Sequence, residues 1–464
     1  MNIRSARYVI FIAFLIMITG LSAAEPTGHG ELSSDQFKES VKCATCHGII
    51  YAQWDGSMHS NAYTDPFYQE DFKVASADTN GELDIFCSRC HTPIGVTSGE
   101  IPPADGSGLS DVAVEGVNCE FCHSVSDSEG IGNAPFILTP GDTKWGPYTD
   151  SETAGHESEF LELQTNSEFC GMCHQVIHPV NGIILDDTYT AWKEGPYSQE
   201  DVQCQDCHMS PGITKFEANP GRAGSGGPKR DHISLHYFVG ANAFVTDILG
   251  EDDHRDMAIK RLEKAATMEV IAPQNASPSE TVNINISITN SGAGHKLPTG
   301  ITELRQMWLE ITVIDDSGRM IYSSGALDGE GDIEAGTELY NTVLTDADGN
   351  PTEKFWLAES ISSDNRIAPR ETAFQEHTFI IPEDAEYPLS VDTRLNYRSA
   401  SQELIDDLFE GNYEVPVIVM AEASDTINDP DAPAEAEPIP GIRVAGLAIT
   451  FLLGALLIRK GGSI

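Results

Sequence analysis

Ten cysteines fall in five pairs, Cys43/Cys46, Cys87/Cys90, Cys119/Cys122, Cys170/Cys173 and Cys204/Cys207, and each pair spans two residues and is followed at once by a histidine. No cysteine is left over. Zinc knuckles use two such pairs per ion, so five is the wrong number. A disulfide framework suits an exported chain but does not call for histidine after every second cysteine. Cys-x-x-Cys-His is the covalent attachment signal for c-type haem. Two thiols add across the two vinyl groups of one porphyrin, and the adjoining imidazole reaches the iron as its proximal ligand. The sequence therefore carries five attachment sites, with His47, His91, His123, His174 and His208 as proximal ligands.

Five haems over about Val41 to Val245 leave too few residues per haem for an ordinary core around each. The macrocycles must be the core, wrapped by short helices and loops. Nine histidines lie outside the motifs and compete for the distal positions. His59, in Trp54-Asp55-Gly56-Ser57-Met58-His59, is placed to reach a neighbouring haem. His236, bracketed by Tyr237 and Phe238, could pack on a porphyrin, and His232 stands one helical turn before it. His178 follows His174 too closely to turn onto the same iron and points to the next haem. His156 lies in a polar stretch where surface residue and ligand are equal readings. His295, in Gly294-His295-Lys296-Leu297-Pro298, is either a structural turn residue or a ligand. His29, His254 and His377 read as non-ligands. Met172 and Met209 are badly placed for iron, so bis-histidine coordination at low potential is the default.

The motifs and their surroundings, Cys43 to His47 followed by Trp54 and His59, Cys87 to His91, and Gly116-Val117-Asn118-Cys119-Glu120-Phe121-Cys122-His123, resemble the tetrahaem cytochrome family that accepts electrons beside hydroxylamine oxidoreductase. The resemblance covers about Cys43 to His174. It implies that His59 ligates the third haem and His156 the first. The chain departs from the family by its fifth motif and a long β-rich extension, as in larger multihaem surface cytochromes of archaea and bacteria. The family holds both pure carriers and a member with a five-coordinate haem.

From Thr281 the pattern changes to period two, with Val282, Ile284, Ile286 and Ile288 alternating with polar residues. Met307–Ile314, Ala373–Ile381, Val391–Tyr397 and Val415–Met420 read as further strands, with a turn at Asp315-Asp316-Ser317-Gly318. An immunoglobulin-like sandwich over 269–422 follows, joined to a haem domain over 25–245 by a helix within 246–268. The expected role of the sandwich is spacing, docking or capping, without a catalytic constellation.

The ends speak to compartment. Arg4 and Arg7, the apolar run Tyr8–Ile18 and Ser22-Ala23-Ala24 read as a signal peptide over 1–24. Residues 423–440 are an acidic, Pro/Ala-rich linker. In 441–464 an apolar run from Val444 to Ile458 precedes Arg459 and Lys460, a membrane helix or sorting tail anchoring an exported body; Pro440-Gly441 resembles the start of archaeal surface-sorting tags. The formal net charge of −45 excludes nucleic acid as a partner and favours cationic or salt-bridged ones. Three function classes remain. The first is relay of electrons between membrane carriers and an external acceptor or partner cytochrome. The second is chemistry on a small nitrogen or sulfur compound at a five-coordinate haem. The third is an extracellular filament, with His29 or His59 shared between subunits.

Overall fold

The computed structural model describes residues 25–151, 154–409, 411 and 413–431. The expected signal peptide and C-terminal anchor lie outside the described residues, and among the described residues no helix is long and apolar enough to cross a membrane.

The N-terminal half is made of short helices, each carrying or buttressing a motif. The motif cysteines sit on the helices Val41–Trp54, Asp84–His91, Cys119–Ser124 and Cys204–His208 and on Ser167–Gly171 with its following turn. None of the ten cysteines forms a disulfide, so no disulfide holds this half together. Three two-stranded ladders, pairing 125–128 with 136–138, 143–146 with 157–160, and 176–177 with 184–186, brace the loops between motifs. A modest apolar cluster around Phe37, Ile94, Phe121, Phe136 and Met172 incorporates Cys90, Cys122 and Cys173 at its edge. Met172 is thereby a core residue.

Helices Ala243–Ile248 and Asp252–Ala265 connect the halves. The C-terminal half holds β1 (Thr267–Ile271), β2 (Thr281–Thr289), β3 (Gln306–Ile314), β4 (Met320–Ser324), β5 (Thr342–Thr345), β6 (Pro351–Thr352), β7 (Ser360–Asp364), β8 (Thr372–Ile380), β9 (Leu389–Arg398) and β10 (Ile418–Ile427). One sheet runs β4-β3-β9-β10 and the facing sheet β8-β2-β1, all antiparallel. Their inner faces share one core, in which Ile284, Ile286 and Ile288 from β2 meet Leu309, Ile311 and Val313 from β3 and Val391 and Leu395 from β9. Alternation in β2 is what puts those three isoleucines inward while Asn283 and Asn285 face out. The sandwich runs beyond the expected boundary at 422: β10 continues to Ile427, into the segment read as linker, because its last residues pair with Leu389 to Arg394 on β9.

A smaller sheet, β6-β5-β7, leans back onto the haem half. There Trp356 donates from Nε1 to Asp78 at 3.1 Å, and Asn181 donates to the Ala358 carbonyl at 2.7 Å. Beside it, Asp187 takes Arg366 at 2.6 Å and Lys296 at 3.0 Å, and both cations also reach Asp364. Burial alone would raise the Asp364 carboxyl, and hydrogen bonds from Arg366 and Lys296 overturn that and hold it below the usual carboxylate range.

Candidate haem and ligand sites

The motif histidines share one local device. His47, His91, His123 and His208 each turn Nδ1 to a backbone carbonyl, those of Ala223, Ala62, Trp145 and Val239, at 2.7–2.9 Å. Each ring is thereby fixed with Nε2 directed away from the backbone, which is how proteins orient an imidazole for a metal. At His47 the chain comes so close that a Cβ on Gly224 would lie 3.0 Å from the ring.

The same device recurs outside the motifs. His156, His236 and His295 hold the carbonyls of Glu157, Ser234 and Lys296 through Nδ1 at 2.8, 3.0 and 2.9 Å. Two of these rings face motif rings: His156 lies 6.3 Å from His47 and His295 lies 6.5 Å from His208, centre to centre. His59 lies 6.2 Å from His174. Two imidazoles bound to one metal, each nitrogen ~2 Å from it, have centres ~6 Å apart. His236 has His123 as its strongest electrostatic neighbour and packs edge-on to Phe238. Burial pushes His236 down to about 4 and His59 and His208 to about 3, so all three are neutral, with a lone pair to give a metal, at neutral pH. The residues present therefore fit iron porphyrins.

Two expectations change. His59 does not face His123, the third motif, as the resemblance implied; it faces His174, the fourth, because its carbonyl is pinned by Val117 N–H at 2.9 Å against Gly116. Gly116 has a φ of +65, and a Cβ there would come within 2.8 Å of the His59 carbonyl. His178 faces no motif ring. Its Nδ1 accepts from Val180 and Asn181 in its own loop and its Nε2 points at the Trp356 carbonyl between β6 and β7, so both nitrogens are taken up within the protein. The segment that passes over the first motif meets its backbone and its histidine: Ser225 N–H donates to the Cys46 carbonyl at 2.8 Å and the Ala223 carbonyl holds His47. His29 and His254 are occupied by the carbonyls of Ile101 and Gln53.

The attachment points touch one another. The Cys43 side chain lies beside Cys119, Cys90 beside Cys173 and Cys170 beside Cys204. Cys122 also lies within electrostatic reach of Cys170 and Cys173. The motifs thus form a branched chain, first to third to fourth, with the second and the fifth both joined to the fourth. The first motif enters this chain through Cys43, with Cys46 on its outer side.

The model described as cytochrome c554 and c-prime matches residues 42–124, which hold the first three motifs. A pentahaem cytochrome c552 from Thermochromatium tepidum shares the fold, with a TM-score of 0.57 at 22% identity over 87% of this chain and 100% of that one. Residues 42–124 thus match a c-type cytochrome family, and the chain shares the fold of a multihaem cytochrome. No curated protein matches it. The CARDB domain of a Pyrococcus furiosus protein, solved with di-metal ions, aligns with 35% of the cytochrome and 86% of itself at 10% identity, but its TM-score of 0.17 is too low to bear on the fold.

His91 stands apart. Among the described residues no second histidine faces it; its ring stacks on Tyr68, with centres 3.8 Å apart and planes within 5°. The space that a haem on this motif would take is a cavity of about 190 Å³, lined by Cys87, Cys90 and His91, by Phe67, Tyr68 and Asp71 of the helix Pro66–Asp78, and by Ile301, Glu303 and Arg305 of the sandwich. Asp65, Asp186 and Phe244 complete its walls, and His91 is its single histidine. Burial pushes Glu303 up to about 8 and Asp65 and Asp71 to about 6. Glu303 Oε2 is buried without a hydrogen-bond partner.

Glu303, Arg305 and Asp71 escape a reading of the sequence because no motif marks them. One signal existed: Glu303 lies in the stretch between β2 and β3 that also carries His295, so a ligand reading of His295 brings its neighbours to the haems as well.

Proposed function

We propose that the protein is an extracytoplasmic pentahaem cytochrome that relays electrons between membrane carriers and an external acceptor or partner cytochrome. The five cysteine pairs attach five c-type haems, and His47, His91, His123, His174 and His208 are the proximal ligands. His156, His236, His59 and His295 close the first, third, fourth and fifth irons. The reading rests on the ring pairs at 6.2–6.5 Å, whose spacing suits one iron between two imidazoles. Closed irons favour electron transfer over chemistry, and touching attachment points keep successive macrocycles close. The leader-like residues 1–24 and the apolar tail support export and anchoring at the surface. The sandwich, immunoglobulin-like in its two-sheet layout, acts as the cap of the array. A net charge of −45 suits cationic redox partners.

A second reading, of the second haem alone, is favoured by the His91 ring, which stacks on Tyr68 and pairs with no histidine ring among the described residues: with no distal histidine, that iron is open to an external ligand. Intact mass reads the haem number. Low-temperature electron paramagnetic resonance of the oxidised holoprotein reads the irons; four low-spin centres and one high-spin centre are expected. Five low-spin centres would leave a pure wire, and two or more high-spin centres would overturn the ligand pairs.

A further inference from the structure

The two residues between the cysteines of each motif stand at the edge where a haem is bonded, and their charges differ. Ala44-Thr45 in the first motif and Gly171-Met172 in the fourth carry none. In the third, buried Glu120 is neutralised by Lys144 at 2.8 Å. In the fifth, Asp206 and Arg261 act on Cys207 with opposite signs. The second motif is different, because Arg89 has no ion-pair partner among the described residues. Its Nε donates to the Ala134 carbonyl at 2.9 Å and its Nη2 to the Thr27 carbonyl at 2.7 Å, and its guanidinium lies 4.6 Å from the centre of the Phe136 ring. All three neighbours are buried and neutral. Its strongest electrostatic partners are the sulfurs of Cys90 and Cys173, which lie beside each other; after them comes Glu31, which is exposed.

On the reading of the chain as an electron relay, we infer that Arg89 raises the electron affinity of the fourth haem above that of the first, third and fifth, so that electrons collect at the junction of the branched chain. Reduction lowers the charge on an iron by one, and a fixed cation in a low-dielectric interior favours that step. A guanidinium keeps its proton throughout the range in which the protein is folded. Attachment turns Cys90 and Cys173 into thioethers, which have no charge to balance Arg89. The propionates of these two haems do not balance it either, since the sulfur-bearing and propionate-bearing edges of a porphyrin are opposite ones. The fourth haem gains more than the second. Cys87, the other sulfur of the second motif, has Asp71 and Asp84 as electrostatic neighbours. Glu168, the carboxylate beside Cys170, is instead taken up by Lys193 at 3.1 Å and Tyr189 at 2.8 Å. The fourth motif is also where the second, third and fifth meet, so a higher affinity there draws electrons from three sides.

The test is a redox titration of the haem-loaded wild type, Arg89→Met, Arg89→Gln and Arg89→Lys, followed in the visible spectrum and by low-temperature electron paramagnetic resonance. His59→Met changes the ligands of the fourth iron and so identifies its signal. Arg89→Met and Arg89→Gln should weaken electron binding at the fourth haem about tenfold, which is 59 mV for one electron. The second haem should fall less, and the first, third and fifth by less than about twofold, being farther from the charge. Arg89→Lys should keep most of the wild-type affinity. Gln retains donors toward Thr27 and Ala134 without the charge, so Gln would restore a purely structural role and Lys restores an electrostatic one. Wild-type affinity in Arg89→Gln, or an equal fall at every haem, would overturn the inference. If the neutral variants do not load haem, the wild type decides: stepwise reduction should bleach the fourth signal before those of the first, third and fifth, and a later place in that order overturns the inference. A holoprotein without reversible one-electron couples would instead remove the relay reading itself, whatever Arg89 does.

Discussion

The two halves of this cytochrome reach order by different means. In the sandwich, alternation along β2, β3 and β9 buries Ile286, Ile311 and Val391 in one core and leaves polar residues outside. The haem half has short helices, three two-stranded ladders and a modest apolar cluster whose rim is made of motif cysteines. Its order is organised around groups that are covalently added. One half is specified by its side chains, the other by side chains plus porphyrin, and the two should fail under different insults.

The sharpest way to break the comparison is to withhold haem. The full chain expressed without haem attachment should lose protease resistance across residues 41–245 and keep it across the sandwich strands, as read by limited proteolysis with mass spectrometry. If both halves are cleaved alike, the sandwich depends on its neighbour for folding. Ile286→Ala, at a residue 1% exposed in the sandwich core, should cost about 2–5 kcal/mol in denaturant unfolding followed in the far ultraviolet. The Soret band should respond only after the strands do.

At the seam between the halves, Arg366→Met removes one of the two cations shared by Asp187 and Asp364. A loss of about 3 kcal/mol is expected, because the carboxylates stay partly buried. The pH dependence has a definite sign. Burial would raise Asp187 and Asp364, but their cations hold both below their ordinary values. The stability they contribute is present above the unfolded carboxylate range of about 4 and is lost as pH falls through their lower folded values. Acid below about pH 4 should therefore loosen the seam before the sandwich core, which thermal unfolding across pH with separate haem and far-ultraviolet signals can resolve. The smallest effect belongs to Arg370→Ala. It breaks an exposed pair with Glu200 and should leave the melting curve unmoved.

Legibility divides along the same line. β2 is readable because a one-sided strand must alternate, and the five motifs because haem attachment chemistry fixes their spacing. Spacing does not say how deep each cysteine lies: Cys46 and Cys43 share one motif, yet only Cys43 meets a neighbouring motif's thiol. The distal partners are only half readable. His59, His156, His236 and His295 stand out as ligand candidates, but which motif ring each faces depends on loop paths set by contacts far apart in sequence. His59 shows this: its neighbour His174 is selected by a turn at Gly116 and a hydrogen bond from Val117. His178 is well spaced for a ligand, but its Nδ1 closes its own loop and its Nε2 goes to Trp356, a distant contact that no local pattern could reveal. Glu303 is invisible because nothing about a lone glutamate before a strand says that it will be buried.

The stretch between β2 and β3 has a mechanical consequence. It sends His295 to the ring of His208 and, a few residues later, Glu303 to the cavity beside His91, and Lys296 between them is clamped by Asp187 and Asp364. One lever thus touches two terminal branches of the array. A shift of the sandwich by an ångström would move the His295 ring against His208 and Glu303 against the His91 site in the same stroke, so the two ends are geared together.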